Sequence, residues 1–514
     1  TWNFEPRISP NGNNKEYFKD TSKILSKLST KEIIYSHMGF RKINGKLHYL
    51  YHGGVIGENK DIKVDLSESG LEQYKFIEDQ LDSKQIKECV ETSLSLLNVG
   101  KETIMVPLLG TIFLAPLQEI FREIEIANGF VTWILGESGT QKSTLAALML
   151  SHFGNFERDT IPCGFKDTVN SLEKQAFIVK DSVLLIDDYY PSQSLQESRK
   201  MEAVAESIFG MAGDKQGRLR MKQNGKDIRK SYSSRGILMA TGENFPDFAE
   251  SRVARSVIVE IEKGDLRLDI LSYLQGNKDK LNICMREYIK WIIVNYDKIR
   301  ERIKINFHRY REKFNRDFSH ARIPENMASL YIGCEMFFEF ARANGVIDTT
   351  IMTEWKLICF NSLLKLANKQ SIRTSDSKPD KMFFYAIQEL LASGEAYFQV
   401  YLHENQSSTN PYAKVLGCYD SEKSMYYLIP GTAYKLVVEY YEKQNIKFPL
   451  NPGALWTYLK KHGSIAIAEK DRNMIRRKIN NESIAVIAVH QEIISPDLGK
   501  NSINKENEEI ILPF

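Results

Sequence analysis

Cysteine is scarce in this chain, and its few cysteines lie far apart. Six are present among 514 residues, and none forms a CxxC pair or clusters with histidine at the spacing of metal ligands. This pattern excludes a small disulfide-stapled scaffold and argues against structural zinc. Since no signal peptide is recognisable, we expect a cytoplasmic protein in a reducing compartment.

Long hydrophobic runs are also missing. The most apolar stretch, residues 104–117, is interrupted by Pro107, Gly110 and Pro116. It is shorter than the roughly 20 residues that a membrane-spanning helix needs. The sequence therefore predicts a buried helix here and no membrane partner.

The chain has no excess of charge of one sign. It carries 69 Lys and Arg against 66 Asp and Glu, and it is 42% hydrophobic and 26% charged. This is the composition of a folded globular protein, and at roughly 150 residues per domain the length suggests about three domains. Any nucleic-acid surface must then be sought in local clusters of charge.

Composition and periodicity divide the chain into five parts. Residues 1–83 predict a small β-containing α+β domain, in which Asn44-Gly45 marks a type I′ hairpin. Residues 84–265 alternate short apolar runs with helical ones, which predicts an α/β core with a mainly parallel sheet. We expect a helical lid or linker over 266–375, a winged helix of three helices and a strand pair over 376–495, and a tail over 496–514. The polar segment SIRTSDSKPD marks the boundary between the last two folded parts.

A phosphate-binding loop is the clearest motif. The predicted strand FVTWIL runs into GESGTQKST and then into an amphipathic helix, which is the context that such a loop requires. The predicted ATP-binding residues are Gly136, Glu137, Ser138, Gly139, Thr140, Gln141, Lys142, Ser143 and Thr144. Gln141 departs from the usual pattern, which has glycine there, so its side chain either disturbs the loop or projects outward. A glycine-rich turn with a solvated lysine is the alternative.

A second apolar strand ends in two acids. In SVLLIDDYYP, Asp187 is placed to bind Mg²⁺ together with Ser143, and Asp188 is placed to orient the water that attacks the γ-phosphate. Asp188 is shorter than the glutamate that many such ATPases use. An ordinary loop entry after a buried strand is the alternative.

Two further candidates follow the acids. Thr241 or Asn244, after the strand GILMAT, is predicted to sense the γ-phosphate, although Asn244 before Pro246 also suits a turn. Arg252 or Arg255, just before the strand SVIVEI, is a candidate to stabilise transition-state charge, either in the same subunit or on the ATP of a neighbour. Arg255 is favoured because it borders the strand, and a plain surface arginine is the alternative.

A basic segment lies between the acids and the strand GILMAT. Its cations are Lys215, Arg218, Arg220, Lys222, Lys226, Arg229 and Lys230, and Asp227 is the one acid among them. Asn224-Gly225 at its centre predicts a hairpin tip, and such a hairpin suits contact with a phosphate backbone. If only the charge of the segment is considered, a solvated charged loop is the alternative interpretation.

The order of these motifs resembles a known group of enzymes. Phosphate loop, acid strand, basic hairpin and sensor strand look like an AAA+ ATPase of the pre-sensor hairpin group, which includes superfamily 3 and MCM-like helicases. The segments ILGESGTQKSTLAALMLSHFG, KDSVLLIDDYYP, SRGILMATGENFP and LNPGALWTYLKKHG resemble helicase-like ATPases of bacterial mobile elements, including staphylococcal cassette chromosomes. The resemblance implies a hexameric, ATP-driven DNA helicase for replication of the element, whose hairpin lines a central pore and grips single-stranded DNA.

The carboxyl-terminal module adds a second basic cluster. Lys460, Lys461, Arg472, Arg476, Arg477 and Lys478 fall on its predicted third helix and wing. These are the positions at which a winged helix meets the phosphates of duplex DNA, here that of an origin, and a solvated basic face is the alternative.

Two functions of different classes remain open from the sequence. The first is the ring helicase, with ATP and Mg²⁺ as cofactors and DNA as partner. The second is an ATP-assembled, DNA-binding replication initiator or regulator that does not translocate, which the departures at Gln141 and Asp188 favour.

Overall fold

The structure is a computed structural model with side chains. It describes residues 14–26, 32–58, 61–126, 129–190, 194–214, 220–221, 228–229, 232–246, 250–316, 318, 320–400, 411–444, 446, 448–466, 473–479 and 482–494.

The amino-terminal part combines helices with short strands. Its elements are α1 (Asn14–Ser26), β1 (Ile34–Tyr35), β2 (Gly39–Ile43), β3 (Lys46–Tyr51), β4 (Gly54–Ile56), β5 (Lys63–Val64), α2 (Ser83–Leu94), α3 (Glu102–Leu114) and α4 (Gln118–Glu123). Strands β2, β3 and β4 form an antiparallel sheet. Asn44 and Gly45 join β2 to β3 with φ angles of 51° and 78°. Two positive φ angles define the type I′ turn, so the predicted hairpin is confirmed.

This amino-terminal sheet has no core of its own among the described residues. Phe40 and Tyr49 are fully buried and belong to one continuous core that extends to Ala367. The amide of Phe40 donates to Asp181 Oδ2 at 2.8 Å, and the Tyr49 hydroxyl donates to the Asp181 carbonyl at 2.9 Å. The predicted small domain is thus packed directly onto the α/β region.

Asp181 is the centre of this contact. It is fully buried and is paired with Arg122 and Lys180. Burial raises the pKa of Asp181 above its ordinary value, and the two cations oppose that shift. The group also ties β2 to the loop at residues 179–182, because Lys180 Nζ donates to the Phe40 carbonyl.

The α/β region contains a five-stranded parallel sheet, as predicted. Its elements are β6 (Val131–Leu135), α5 (Lys142–Leu150), β7 (Cys163–Gly164), α6 (Val169–Ile178), β8 (Val183–Tyr189), α7 (Leu195–Asp214), β9 (Arg220–Met221), β10 (Ile228–Arg229), β11 (Ile237–Gly242), α8 (Glu250–Val253) and β12 (Ser256–Glu260). The strand order is β12-β6-β11-β8-β7, and every neighbouring pair is parallel. The chain is therefore a mixed α/β protein.

Helix α3 lies in the centre of the core. The helical stretch Glu102–Glu123 is long and apolar enough to cross a membrane, so the prediction that this region is too short was wrong. However, 94% of its most apolar window is buried inside the protein, and the predicted buried helix is confirmed. Its apolar surface is used by the fold itself.

Five helices follow the sheet. They are α9 (Leu268–Gly276), α10 (Lys278–Val294), α11 (Tyr296–Phe314), α12 (Arg322–Ala343) and α13 (Thr349–Asp376). Helix α13 ends at Asp376, inside the polar segment that predicted a boundary, and Gln370 and Thr374 near its end are buried. Gln370 Nε2 donates to the Val253 carbonyl at 2.9 Å. This hydrogen bond ties the end of α13 to α8.

The carboxyl-terminal module has its own core, from Phe383 to Ile494. Its elements are α14 (Pro379–Ala392), β13 (Ala396–Val400), β14 (Lys414–Asp420), β15 (Met425–Leu428), α15 (Pro430–Glu442), α16 (Pro452–Lys461), β16 (Ile475–Ile479), β17 (Glu482–His490) and α17 (Gln491–Ile494). The three predicted helices and the predicted strand pair, β16 and β17, are present. The difference is that this pair belongs to one sheet of five strands, in the order β13-β14-β15-β17-β16.

Candidate nucleotide site

The strand order brings the predicted motifs to one edge of the sheet. Strand β11 lies between β6, which leads into the phosphate loop, and β8, which ends in the two acids. The carboxyl ends of parallel strands meet at a common edge, and this edge is where open α/β sheets bind ligands. The amide of Gly136 donates to the Gly242 carbonyl at 3.1 Å, which fixes the loop against β11.

The phosphate loop closes through two left-handed residues. Gly139 has a φ angle of 85° and Gln141 has one of 65°, and α5 begins at the next residue, Lys142. The Gln141 side chain is exposed, and its Oε1 accepts a hydrogen bond from Thr144 Oγ1 at 3.0 Å. Of the two possibilities that the sequence left open at Gln141, the structure shows the outward one.

Close packing explains the first glycine of the loop. A Cβ atom on Gly136 would lie 2.6 Å from the Ile261 carbonyl oxygen and 2.7 Å from Thr140 Oγ1. Thr140 is itself held, because its hydroxyl donates to the Glu137 carbonyl at 2.8 Å. The loop is therefore built before any ligand arrives.

The groups of the loop suit an anion. Lys142 is the first residue of α5 and is buried, and no ion pair joins it to another described residue. Backbone amides at a helix N-terminus and a lysine together favour phosphate oxygens. Ser143 is half-buried one residue further on, and α5 packs against β8.

Thr241 connects the two acids. It is fully buried, its hydroxyl donates to Asp187 Oδ1, and its Oγ1 accepts the amide of Asp188 at 3.1 Å. Asp188 has a φ angle of 72° and an exposed side chain, while Asp187 is half-buried. Asn244 is exposed beyond the end of β11. The structure thus places Thr241, rather than Asn244, against the acids.

Sequence reasoning missed a group of side chains beside Asp188. Tyr190 donates its hydroxyl to Glu197 Oε1 at 2.6 Å, and Lys166 Nζ lies 5.3 Å from the centre of the Tyr190 ring. Hydrogen bonding to Tyr190 raises the pKa of Lys166, and Asp188 adds to that effect. Lys166 follows β7, a strand of only two residues. A strand this short has no periodicity in the sequence from which its position could be predicted.

The two candidate arginines lie at the opposite end of the strands, where β6 and β12 begin. The Arg255 carbonyl accepts the amide of Val131, the first residue of β6, at 2.9 Å. The phosphate loop starts after the last residue of β6, about 16 Å away at roughly 3.3 Å per residue. This exceeds the length of an arginine side chain, so the Arg255 guanidinium does not reach the phosphate loop of its own subunit. Arg252 Nη1 lies 2.7 Å from Glu206 Oε1.

The basic clusters are described in part. Strands β9 and β10 pair antiparallel, with Arg220 opposite Arg229, as a hairpin requires. Lys222, Lys226 and Lys230 lie outside the described residues, and so does Arg472. On β16, Arg476 and Lys478 are exposed, while the Arg477 guanidinium lies 5.2 Å from the centre of the Tyr427 ring. Arg477 therefore packs on the sheet instead of joining the other two on an exposed face.

Comparison with known proteins supports the fold. The Cch protein of SCCmec type IV, described as an active helicase, superposes with a TM-score of 0.60 at 13% identity, over 94% of this chain and 84% of that one. The JCV helicase gives a TM-score of only 0.21 at 12% identity, over 45% of this chain and 70% of its own. No protein-family model matches the chain, and no curated protein matches its sequence. The chain has the fold of the Cch helicase, which confirms the structural side of the predicted resemblance.

Proposed function

We propose that this chain is an ATP-driven DNA helicase that works as a ring. The observation that carries the proposal is the hydroxyl of Thr241, which joins Asp187 to the backbone of Asp188 on the strand beside a preformed phosphate loop. The likeness of the whole fold to an active helicase supports it.

We assign a role to each residue of the nucleotide site. The loop amides and Lys142 hold the phosphates, and Ser143 and Asp187 provide the oxygen ligands that Mg²⁺ prefers. Mg²⁺ held by Ser143 and Asp187 would neutralise charge on the phosphates during transfer. Asp188 orients the attacking water, and Thr241 keeps both acids in register with the loop.

The position of Arg255 supports a ring. Since it lies at the edge of the sheet away from its own phosphate loop, the nucleotide that it serves belongs to a neighbouring subunit. We infer a homo-oligomer, a hexamer by resemblance.

The basic hairpin contacts single-stranded DNA in the pore through Arg220, Lys222, Lys226, Arg229 and Lys230, and the carboxyl-terminal module contacts duplex DNA through Arg476 and Lys478. The resemblance supports a role in replication of a mobile element, and the scattered cysteines support a cytoplasmic location.

Strand displacement tests the proposal. The purified full chain is assayed on forked DNA with Mg²⁺ and ATP at a fixed moderate salt concentration, beside Lys142→Ala and the surface control Lys298→Ala. We expect unwinding by the wild type and the control, and none by Lys142→Ala. ATP-dependent DNA binding without unwinding by the wild type would overturn the helicase and favour the initiator. A Lys222→Ala/Lys226→Ala variant that unwinds normally would contradict the role of the hairpin.

A further inference from the structure

Helix α1 has an exposed apolar face. Tyr17 and Phe18 are followed seven residues later by Ile24 and Leu25, and these four side chains are 46% to 65% exposed. A spacing of seven residues places side chains on one face of a helix. An isolated helix of this length is marginal in water, and packing of its apolar face is what normally stabilises it. Every side chain of α1 that the structure describes is nevertheless exposed, so the helix lacks the packing partner that its pattern requires.

A groove of about 1000 Å³ lies on another surface of the chain, between strands β3 and β4 and helix α10. Its apolar lining includes Leu47, Val55, Ile86, Ile293 and Val294. Val294 is 81% exposed, and the other four are half-buried. Docking of an amphipathic helix in an apolar groove, with anchors seven residues apart, is a recurring mode of recognition. The groove therefore has the lining that a helix such as α1 needs.

The charges of the helix and the groove are opposite in sign. Four acids and three bases line the groove. Of these acids, Glu78 and Asp79 form no ion pair with another residue that the structure describes. Helix α1 carries three lysines and two acids in its sequence. The net charges therefore favour docking of α1, in addition to the apolar match.

The apolar face of α1 and the groove are both exposed in a single chain, so the chain does not use one to cover the other. They are also different surfaces. Docking α1 of one copy in the groove of the next therefore gives a head-to-tail contact, in which each copy provides one helix and one groove. Contacts of this kind generate rings when the rotation between copies closes. This argument favours a second copy of the chain as the occupant.

We propose that α1 is an arm that docks in the groove of a neighbouring copy of this chain, with Tyr17, Phe18, Ile24 and Leu25 as its anchors. The inference rests on the proposed homo-oligomer. The contact uses no residue that we assign to the nucleotide site, so it holds neighbouring subunits together whether or not ATP is bound.

Cross-linking tests the docking directly and without nucleotide. All six native cysteines are buried, so a short bismaleimide reaches introduced surface cysteines first. We expect the full chain with Leu25→Cys and Val294→Cys to give a covalent ladder of dimers and higher species. The control combines Leu25→Cys with Ile305→Cys, which replaces an exposed isoleucine on α11, and should give no ladder. A bridge confined to single chains would show that α1 docks on its own chain and would overturn the proposal, as would the absence of any bridge.

Two double variants of α1 measure what the anchors contribute to assembly. Phe18→Ser/Leu25→Ser removes two anchors, and Glu16→Ser/Lys19→Ser changes the opposite face of the helix; both leave the net charge unchanged. We expect the first to raise the concentration at which half of the protein is assembled at least about tenfold, with an unchanged melting temperature. The second should match the wild type. Sedimentation velocity measures assembly, and equal assembly of the two variants would overturn the proposal.

Failure of the arm and failure of the proposed function give different results. A cross-linked ladder from a chain that unwinds no DNA would support the arm and refute the helicase. Unwinding by a chain that forms no ladder would refute the arm and leave the helicase standing.

Discussion

At the scale of single residues, the nucleotide site depends on backbone conformations that side chains rarely adopt. Gln141 and Asp188 both have positive φ angles, and both lie where the site must turn sharply. A left-handed conformation costs a non-glycine residue roughly 1–2 kcal/mol, although aspartate tolerates it better than most. The shape of the site therefore requires some backbone strain at these two residues.

The strain at Gln141 leads to a first prediction. Gln141→Gly should raise the free energy of unfolding by about 1 kcal/mol, because glycine adopts the φ angle of 65° without a Cβ clash. The Thr144 hydroxyl loses only an exposed partner, so ATP affinity should stay within about threefold of the wild type. Urea unfolding and nucleotide titration measure the two effects. A destabilised variant would contradict this account of the loop.

Thr241 gives a second prediction. Thr241→Val keeps the shape of the buried side chain but removes the hydroxyl between Asp187 and the Asp188 amide. We expect ATP turnover to fall about 10²-fold, since a small misplacement of catalytic groups has an effect of that size. Thr241→Ser restores the hydroxyl and should recover most of the activity. Steady-state turnover with Mg²⁺ and ATP measures both, and full activity of the valine variant would refute the role of Thr241.

At the scale of elements, α3 and α12 cross at two glycines. A Cβ atom on Gly110 would lie 2.7 Å from the Leu330 carbonyl oxygen, and one on Gly333 would lie 3.0 Å from the Leu114 amide nitrogen. The backbones of the two helices therefore approach each other closely in the middle of the core. Neither glycine has a positive φ angle, so close packing alone requires them.

This crossing gives a third prediction. Gly333→Ala should lower the free energy of unfolding by about 1–3 kcal/mol, because the added methyl group overpacks the crossing. Gly276→Ala, at the end of α9, is the control, since a Cβ atom there meets nothing within 4 Å. Urea denaturation compares the two. Equal stability of both variants would show that the helices can move apart.

Local patterns predicted the elements well, and contacts between distant residues escaped them. The phosphate loop, the acid strand and the hairpin at Asn44-Gly45 were predictable because each motif carries its own conformational signal. The choice between Thr241 and Asn244 was not, because it depends on the register of β11 against β8. The contact between Phe40 and the buried Asp181 joins residues that are 141 positions apart, so no local pattern predicted it. Strand β13 was also missed. It pairs in parallel with β14, and a parallel pair has no tight hairpin turn that the sequence could reveal.

At the scale of the whole molecule, two histidines make stability depend on pH. Burial lowers the pKa of His152 and of His37 to about 4. In the unfolded chain a histidine titrates near 6.5. Between these values the unfolded state binds protons that the folded state does not, so stability is full above about pH 6.5 and falls as the pH drops towards 4.

The fully buried His152 supplies the fourth prediction. Each such histidine steepens the loss of stability by about 1.4 kcal/mol per pH unit within that window. His152→Gln should therefore show a shallower dependence of the free energy of unfolding on pH between 6 and 5, whatever its stability at pH 7.5. Urea unfolding at these three pH values measures the slope. An unchanged slope would mean that His152 is already protonated in the fold.

The continuous core also sets the order in which a newly made chain is able to fold. Phe40 needs Asp181, and the amide of Ile77 needs Asn282 Oδ1, 205 residues further along. At roughly 5–20 residues per second, a ribosome takes on the order of 10–40 s to synthesise that interval. During that time the aromatic side chains of the amino-terminal strands have no finished core to enter. The first strands of the nascent chain are therefore exposed until the later segments have been synthesised. They are the part of the chain that most needs the protection of a chaperone.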